Sequence, residues 1–251
     1  MKPHTSYVIC AVQRSGSFLL CEALKNTGLA GHPEEYFLNN SEGWEDGSWA
    51  RQNRVTSRSD YLRLVFEKGT TPNGVFGTKI MWNYYYDMLN RLQELPEYKE
   101  MGAPQLMAAL FPNVHYIWMI RRDKVRQAVS WAKAAQTDIY AWSEGTGPVP
   151  KQEPTFDFAL IDQLYKLVLE GESGWQNFFD ACGAQPFTVT YEELVEAYEP
   201  TALRILEYLD IPYPTNLIFG ERRLQKQADA LNESWVEKYI EVKKLKNECV
   251  L

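Results

Sequence analysis

One stretch near the start of the chain decides the fold. It reads Tyr7-Val8-Ile9-Cys10-Ala11-Val12-Gln13-Arg14-Ser15-Gly16-Ser17-Phe18-Leu19-Leu20. The apolar first half has the length of a buried strand, and a polar corner with one glycine follows it. Beyond the corner, the spacing of one helix face is kept by Leu19, Leu20, Cys21, Ala23 and Leu24. The stretch predicts a strand, a tight loop and a helix in direct succession.

The corner between this strand and helix is suited to bind a phosphate or a sulfate. The first N–H groups of a helix lack partners within the helix, and the helix dipole places partial positive charge there. Arg14 adds a full charge, and Gly16 lets the backbone approach an anion. Gln13, Ser15 and Ser17 add side-chain donors. The alternative is an ordinary turn in which Ser15 is the N-cap.

Composition limits the class of protein. The chain has 251 residues and a formal charge of −7, which favours a single α/β domain over residues 1–251 and argues against a general nucleic-acid binder. The four cysteines are far apart, and no two of the three histidines have metal-ligand spacing. A disulfide framework, a zinc site and a metal-dependent mechanism are therefore not expected.

The chain carries no obvious membrane or export signal. No apolar run approaches the length of a membrane span, and residues 1–6 lead straight into the first strand without the apolar core of a signal peptide. We therefore expect a cytoplasmic protein with no transmembrane segment.

Strand and helix patterns alternate along the rest of the chain. Further strands are predicted at 75–82, 114–120 and 186–190, and helices at 59–67, 84–95, 103–111, 124–136, 156–179 and 191–209, with another beginning near 232. This order predicts a three-layer α/β sandwich with a mainly parallel central sheet. Ligands of such sheets bind outside the carboxyl ends of the strands. Two loops, 39–58 and 143–154, are predicted to lie on the surface and to recognise an acceptor.

A pair of arginines follows the strand at 114–120. Arg121 stands at the expected carboxyl end, and Ser130 lies further along the next helix, so the two can bind a second phosphate together. The alternative is that Arg121 and Arg122 are solvated charges at the start of that helix, which Asp123 caps.

Three charged residues suggest further chemistry. Glu35 is a candidate general base for a hydroxyl group. Lys79 lies inside an apolar strand pattern and must be paired or reach out of the sheet, so it is either a partner of Glu34 or Glu35 or a part of the anion site. Near the end of the chain, the segment 222–229 is either a cover for a nucleotide or a solvated linker.

Several blocks of the sequence together resemble the bacterial trehalose 2-sulfotransferase family. The blocks are Gln13-Arg14-Ser15-Gly16-Ser17-Phe18-Leu19-Leu20, Gly31-His32-Pro33-Glu34-Glu35-Tyr36-Phe37, the run from Thr71 to Asn83, Arg121 with Gln127-Ala128-Val129-Ser130, and Gln227-Ala228-Asp229 with Trp235-Val236-Glu237. They occur in the order of the family and cover nearly the whole chain.

The resemblance implies a sulfotransferase fold, related to that of nucleotide kinases, and 3′-phosphoadenosine 5′-phosphosulfate (PAPS) as sulfuryl donor. The P-loop-like corner Gln13, Arg14, Ser15, Gly16, Ser17 and Phe18 would hold the phosphosulfate, with Arg14 also stabilising charge during transfer. Arg121 and Ser130 would hold the 3′-phosphate, and Gln227 and Ala228 would lie against the adenine. Glu35 would be the catalytic base. Lys79, Trp82, Trp44 and Trp49, with Glu35, are the candidates for acceptor binding.

The chain also departs from the pattern of the family. Glu34 stands where the family has glutamine, and the region between Leu38 and Thr70 is shorter. The acceptor is accordingly expected to be a sugar or glycolipid hydroxyl, of which trehalose is one example. The family resemblance further implies a homodimer.

Two alternative functions remain at this point. One is a small-molecule kinase, which is disfavoured because the second glycine and the lysine of a Walker A loop are missing. The other is a non-catalytic nucleotide-binding protein.

Overall fold

The computed structural model describes residues 3–38, 43–140, 149–224 and 229–248. In this part of the chain, the strands are β1 (Thr5–Ala11), β2 (Val75–Met81), β3 (Val114–Ile120) and β4 (Phe187–Thr190). The helices are α1 (Ser17–Asn26), α2 (Ser48–Gln52), α3 (Arg58–Gly69), α4 (Trp82–Gln93), α5 (Ala103–Leu110), α6 (Lys124–Thr137), α7 (Phe158–Cys182), α8 (Tyr191–Glu196), α9 (Tyr198–Tyr208) and α10 (Ala230–Glu248).

All four strands run parallel, in the order β2-β1-β3-β4. β1 is buried along its whole length and is covered on both faces. Val8 and Cys10 belong to a cluster that includes Trp175 of α7, whereas Tyr7 and Ile9 belong to a second cluster with residues of α1 and α9. Burial on both faces explains why the strand is continuously apolar rather than alternating. The predicted fold class, a parallel sheet between helical layers, is confirmed.

Most of the predicted elements are present with small changes at their ends, and two local predictions were wrong. The segment predicted as one helix over 191–209 is two helices, α8 and α9, because the backbone of Ala197 leaves the helical region (φ −130°, ψ 62°). The prediction of a surface loop over 39–58 was wrong for part of the segment: it contains α2, and Trp44 and Ala50 are fully buried, whereas residues 51–54 and 56–57 are exposed. The first half of the predicted loop 143–154, residues 143–148, lies outside the described residues. The single domain over residues 1–251 stays a prediction.

Glycines on α7 allow this long helix to approach the sheet edge closely. A Cβ atom at Gly174 would lie 2.1 Å from the indole ring of Trp82, and one at Gly171 would lie 2.8 Å from Val12. Val12 and Trp82 directly follow β1 and β2. The absence of these two side chains therefore lets α7 pack against the junctions where β1 and β2 end. None of the described helices combines the length and hydropathy needed to cross a membrane.

Candidate active site

The carboxyl ends of the four strands lie along one edge of the sheet, and the candidate site is at this edge. β1 pairs with β2 on one side and with β3 on the other. The order of the strands therefore changes direction at β1, which is where open parallel sheets bind ligands. The site is built from the segments that follow β1, β2, β3 and β4.

The loop after β1 has the backbone geometry of an anion-binding corner. The N–H of Ser15 donates to the carbonyl of Val12 over 3.2 Å, and Arg14 and Gly16 both have left-handed backbones, with φ of 63° and 97°. Gly16 is the N-cap of α1, and no side chain caps the helix. The alternative with Ser15 as N-cap is therefore wrong, and the start of α1 offers N–H donors to an anion.

The hydroxyl of Ser15 points to the same use of the loop. Ser15 is fully buried, and no described atom forms a hydrogen bond with its Oγ. Buried hydroxyls normally have a partner. Ser17 is also buried, whereas Phe18 is half-buried. An anion held by the loop would supply the partner that Ser15 lacks.

Gly16 connects the loop to the end of β4. A Cβ atom at Gly16 would lie 2.5 Å from Cδ2 of Tyr191 and 3.0 Å from Cε of Met119. Tyr191 is the first residue of α8, directly after β4. The close approach of the Tyr191 ring, together with the positive φ, leaves room only for glycine at this position.

Gln13 links the loop to two other elements. Its Nε2 donates to Oδ1 of Asn83 in the first turn of α4. Its backbone carbonyl accepts a hydrogen bond of 2.8 Å from Nε2 of Gln127, which is fully buried in α6. The amide side chains of Asn83 and Gln127 thus fix the loop between the ends of β2 and β3.

The side chain of Arg14 extends along α6. Its Nε donates to Oγ of Ser130 over 3.0 Å, and its Nη1 donates to the backbone carbonyl of Tyr140. Burial, and to a lesser degree the positive charge of Arg121, lowers the pKa of Arg14 to about 10. The guanidinium still carries its charge near neutral pH. The structure therefore brings Arg14 together with Ser130 and Arg121.

Arg121 faces inward, unlike its neighbour. Its guanidinium lies 4.7 Å from the centre of the Tyr191 ring, and its Nε is buried with no hydrogen-bond partner in the described structure. Burial lowers the pKa of Arg121. Arg122 is exposed and pairs with Glu193 at 2.6 Å, while Asp123 caps α6 by accepting from the N–H of Arg126. The alternative of a solvated arginine pair therefore applies to Arg122 alone.

Glu35 lies next to the loop through Lys79. The N–H of Lys79 donates to the backbone carbonyl of Glu34 over 3.0 Å, so this segment runs beside β2. Nζ of Lys79 lies 3.3 Å from Oε2 of Glu35 and 3.3 Å from the centre of the Phe18 ring. The side chain of Glu34 instead pairs with Lys25 at 2.6 Å. Of the two partners considered for Lys79, the structure selects Glu35.

The tryptophans proposed for acceptor binding occupy different environments. Trp44 is fully buried, with its ring 5.5 Å from that of Phe37 and 5.9 Å from that of Tyr61. Trp49 is partly buried against Tyr36 and Tyr61. The contacts of Trp44 are thus those of a core residue. Tyr36 directly follows Glu35, so this aromatic cluster supports the backbone that carries the carboxylate.

Trp82 lies at the start of α4, where β2 ends. It is partly exposed and stacks on Tyr85 with a ring separation of 5.3 Å. The neighbouring Tyr86 contacts Trp82 edge-on and is 58% exposed. Trp82 and Tyr86 together form an accessible aromatic surface at the candidate site, which suits an acceptor with apolar faces such as a sugar ring.

Gln227 and Ala228 lie outside the described residues. The described chain on either side of them is tied to two helices of the site. The N–H groups of Arg223 and Leu224 donate to Oε1 of Glu22 on α1, over 2.8 Å and 3.0 Å. Asp229 pairs at 2.6 Å with Lys133 of α6.

Sequence reasoning missed three residues that organise the site: Asn83, Gln127 and Tyr191. Asn83 and Gln127 belong to blocks that were recognised, but an amide that orients a loop has no distinctive local pattern. Tyr191 had a usable signal, because it directly follows a strand whose carboxyl end was expected at the site edge. No group of three His, Cys, Asp or Glu side chains in the described residues is arranged to hold a metal ion.

Comparison with known proteins shows the family. The loop, the inward arginine and the glutamate beside the loop form an arrangement suited to bind an anionic ligand, and residues 6–241 match the family model described as Stf0 sulphotransferase. The chain belongs to this sulphotransferase family.

Two relatives match along almost their whole length. A trehalose 2-sulfotransferase from Mycolicibacterium smegmatis is 30% identical over 264 residues, covering 94% of this chain and 94% of the relative. A trehalose 2-sulfotransferase from Mycobacterium tuberculosis is 26% identical over 254 residues, covering 93% of each chain. The sequence-based recognition of the family is confirmed.

Proposed function

We propose that this protein transfers a sulfuryl group from PAPS to a hydroxyl group of a carbohydrate or glycolipid. The observation that carries the proposal is the position of Glu35. Its carboxylate contacts the ammonium group of Lys79, and the same ammonium group contacts the ring of Phe18 in the first turn of α1. A carboxylate able to take a proton thus lies beside a loop built to hold an anion.

The residues of the loop fit the phosphosulfate end of the donor. The start of α1 has no side-chain cap, and the buried hydroxyl of Ser15 has no partner in the described structure. Gly16 keeps the backbone free of a Cβ atom. We propose that Gln13 orients this loop while Ser15, Gly16, Ser17 and Phe18 surround the bound group.

The cluster of Arg14, Ser130 and Arg121 fits a second phosphate, which the donor carries at its 3′ position. Burial, and to a lesser degree the charge of Arg121, lowers the pKa of Arg14, so the two guanidiniums repel each other. A phosphate dianion between them would relieve this repulsion and fill the unused Nε of Arg121. Because the side chain of Arg14 contacts Ser130, we propose that Arg14 acts mainly here. Gln227 and Ala228 remain the proposed contacts of the adenine.

The proposed reaction exchanges one sulfur–oxygen bond for another. The bond between sulfur and the oxygen of the donor 5′-phosphate breaks, and a bond forms between sulfur and the acceptor oxygen. Glu35 takes the hydroxyl proton, and adenosine 3′,5′-bisphosphate leaves. The loop N–H groups stabilise the charge that grows on the leaving phosphate, so positioning and electrostatics supply most of the acceleration.

The acceptor is proposed from the relatives and from the exposed aromatic surface. Both relatives carry the name trehalose 2-sulfotransferase, so trehalose is the first acceptor to test. Trp82 and Tyr86 offer rings on which a sugar can stack, and Trp49 and Glu35 remain candidates for contacts with its hydroxyls. We do not include Trp44 and Lys79 among them because both side chains are buried.

Two further predictions belong to this proposal: a cytoplasmic location and a homodimer. Fractionation of the native host would test the first, and light scattering of the purified protein would test the second. A monomer at all accessible concentrations would overturn the homodimer without affecting the proposed chemistry.

Incubation with PAPS and a panel of acceptors tests the function directly. Trehalose, other disaccharides and glycolipids would each be incubated with the protein, and the products examined by mass spectrometry for one added sulfuryl group. We expect transfer to at least one carbohydrate-bearing acceptor. Binding of the bisphosphate without transfer to any acceptor would favour a nucleotide-binding protein, and turnover of Mg-ATP with the same acceptors would favour a kinase.

A further inference from the structure

Lys79 is an unusual residue for its position. It pairs in register with Ile9 of β1, a residue of the core cluster on the α1 face. Since residues paired in register point to the same face of a sheet, the Lys79 side chain runs beneath α1. Only 1% of its surface is exposed. Lysine is almost never buried to this degree unless its charge is paired.

The charge of Lys79 has two neighbours. Nζ lies 3.3 Å from the centre of the Phe18 ring on one side and 3.3 Å from Oε2 of Glu35 on the other. No described atom accepts a directed hydrogen bond from Nζ. The ammonium is therefore balanced by one carboxylate and by the face of one aromatic ring.

We infer that Lys79 is a positioning residue for Glu35: the buried ammonium holds the carboxylate in place beside the anion-binding loop. The attraction between the two charges is stronger where water is excluded. Only the ionised carboxylate can accept a proton from an acceptor hydroxyl. This inference rests on the proposed role of Glu35.

The adjacent pair of Lys25 and Glu34 shows why burial matters. Its charged atoms are 2.6 Å apart, but the side chains are 34% and 49% exposed. Water screens such a pair, which contributes little. The side chain of Glu35, in contrast, is 16% exposed, and that of Lys79 is 1% exposed. The chain thus offers two neighbouring lysine–glutamate pairs that differ mainly in their access to solvent.

The other titratable groups that face this region are Cys21 and Lys25 of α1, Glu34, and Tyr36. Burial raises the pKa of Cys21 to about 12 and also raises that of Tyr36. Both groups therefore stay neutral from acidic to mildly basic pH. Among the described residues, Lys79 is the cation that forms an ion pair with Glu35.

The test compares kcat and KM for sulfuryl transfer in four proteins: wild type, Lys79→Met, Lys79→Arg and Lys25→Met. For Lys79→Met we expect kcat to fall by about 10-fold or more while the KM for PAPS is unchanged, because a misplaced carboxylate loses part of the contribution of a positioned base. Lys79→Arg keeps the charge and should recover most of this kcat. Lys25→Met should keep kcat within about 2-fold of the wild type, because its pair is exposed.

A second measurement does not depend on turnover. A crystal structure of Lys79→Met should show the Glu35 carboxylate displaced from its wild-type position, whereas that of Lys79→Arg should keep it. If the wild type transfers no sulfate, this comparison still tests the positioning role, so failure of the proposed function and failure of this inference can be told apart. If Lys79→Met does not fold, Lys79→Gln, which is neutral but able to hydrogen-bond, takes its place.

Two results would overturn the inference. One is a Lys79→Met protein in which kcat and the position of the Glu35 carboxylate both coincide with those of the wild type. The other is an unchanged kcat together with weaker binding of adenosine 3′,5′-bisphosphate, which would make Lys79 a direct ligand of the donor.

Discussion

Nε of Arg14, in the loop after β1, donates a hydrogen bond of 3.0 Å to Oγ of Ser130 on α6. This contact joins the two parts of the site that were predicted separately, the phosphosulfate loop and the 3′-phosphate pair. The backbone of Arg14 is left-handed at this point, with φ of 63°. The guanidinium of Arg14 thereby connects the loop after β1 to the middle of α6.

The first prediction concerns Arg121, the inward arginine of this cluster. Arg121→Ala should weaken the binding of adenosine 3′,5′-bisphosphate by about 10- to 100-fold, because a hydrogen bond to a charged group contributes about 1.5–3 kcal/mol. Binding of adenosine 5′-monophosphate, which lacks the 3′-phosphate, should change much less. Isothermal titration calorimetry with both nucleotides measures the difference.

The matched control is Arg122→Ala, since Arg122 is the next residue, is exposed and pairs with Glu193 at the surface. It should leave the affinity for both nucleotides near that of the wild type. Equal losses for the two nucleotides in Arg121→Ala would exclude a specific contact of Arg121 with the 3′-phosphate.

The second prediction separates the two adjacent glutamates. Glu35→Gln should reduce kcat by about 10²- to 10⁴-fold, the usual cost of losing a positioned general base, while the affinity for the bisphosphate stays the same. Glu34→Gln should retain most of the activity, because the Glu34 side chain pairs with Lys25 at the surface. Initial rates with saturating PAPS and acceptor decide the matter. Activity of Glu35→Gln within a few-fold of the wild type would remove Glu35 from the mechanism.

Sequence patterns were sufficient for the parts of the fold that depend on one element at a time. The strand predicted at 114–120 has the bounds of β3, Val114–Ile120, because a continuous apolar run ending in two arginines leaves little choice. For Lys79, the sequence left two alternatives, a glutamate partner or the anion site, and the structure shows the contact with Glu35. The strand is a local feature, whereas the partner of Lys79 is not.

Features that depend on contacts between residues distant in the sequence could not be predicted from sequence patterns. The polar composition around Trp44 resembles that of a surface loop, but the indole is buried because Phe37 and Tyr61 form a pocket for it. Likewise, the direction of the Arg14 side chain is decided by Ser130, which is more than one hundred residues away in the chain. A single sequence carries no pattern that pairs these residues.

The third prediction uses two glycines that differ in their surroundings. Gly16 and Gly28 both have positive φ, 97° and 67°, but a Cβ atom at Gly16 would lie 2.5 Å from Tyr191, whereas one at Gly28 would meet nothing within 4 Å. Gly28→Ala should therefore cost only the backbone strain, about 1–2 kcal/mol. Gly16→Ala should cost more and should also weaken donor binding, since it displaces Tyr191 or the loop.

Urea unfolding and calorimetry with the bisphosphate would measure the two effects of these glycine substitutions. Equal stability of Gly16→Ala and Gly28→Ala, with donor affinity intact in both, would show that the loop tolerates a side chain at residue 16.

The last prediction concerns the attachment of α10 to α7, which involves Asp162. This carboxylate accepts a hydrogen bond of 2.8 Å from the hydroxyl of Tyr239, pairs with Lys166 at 2.9 Å and also contacts Nζ of Lys243. The hydrogen bonds from Lys166 and Lys243 hold the pKa of Asp162 well below its usual range. A carboxyl group with a lower pKa in the folded state stabilises the fold above its unfolded pKa of about 3.9, and this contribution is lost as the pH falls further.

Asp162→Asn should therefore lower the free energy of unfolding near neutral pH, and the difference from the wild type should shrink as the pH falls below about 4. Urea unfolding of both proteins over this pH range measures the difference. Asp180→Asn is the control on the same helix, because Asp180 accepts a hydrogen bond from the neutral side chain of Gln176. A difference between Asp162→Asn and the wild type that is independent of pH would mean that Asp162 stabilises the fold by packing, because only the charged form of the carboxyl group binds the two lysines more tightly.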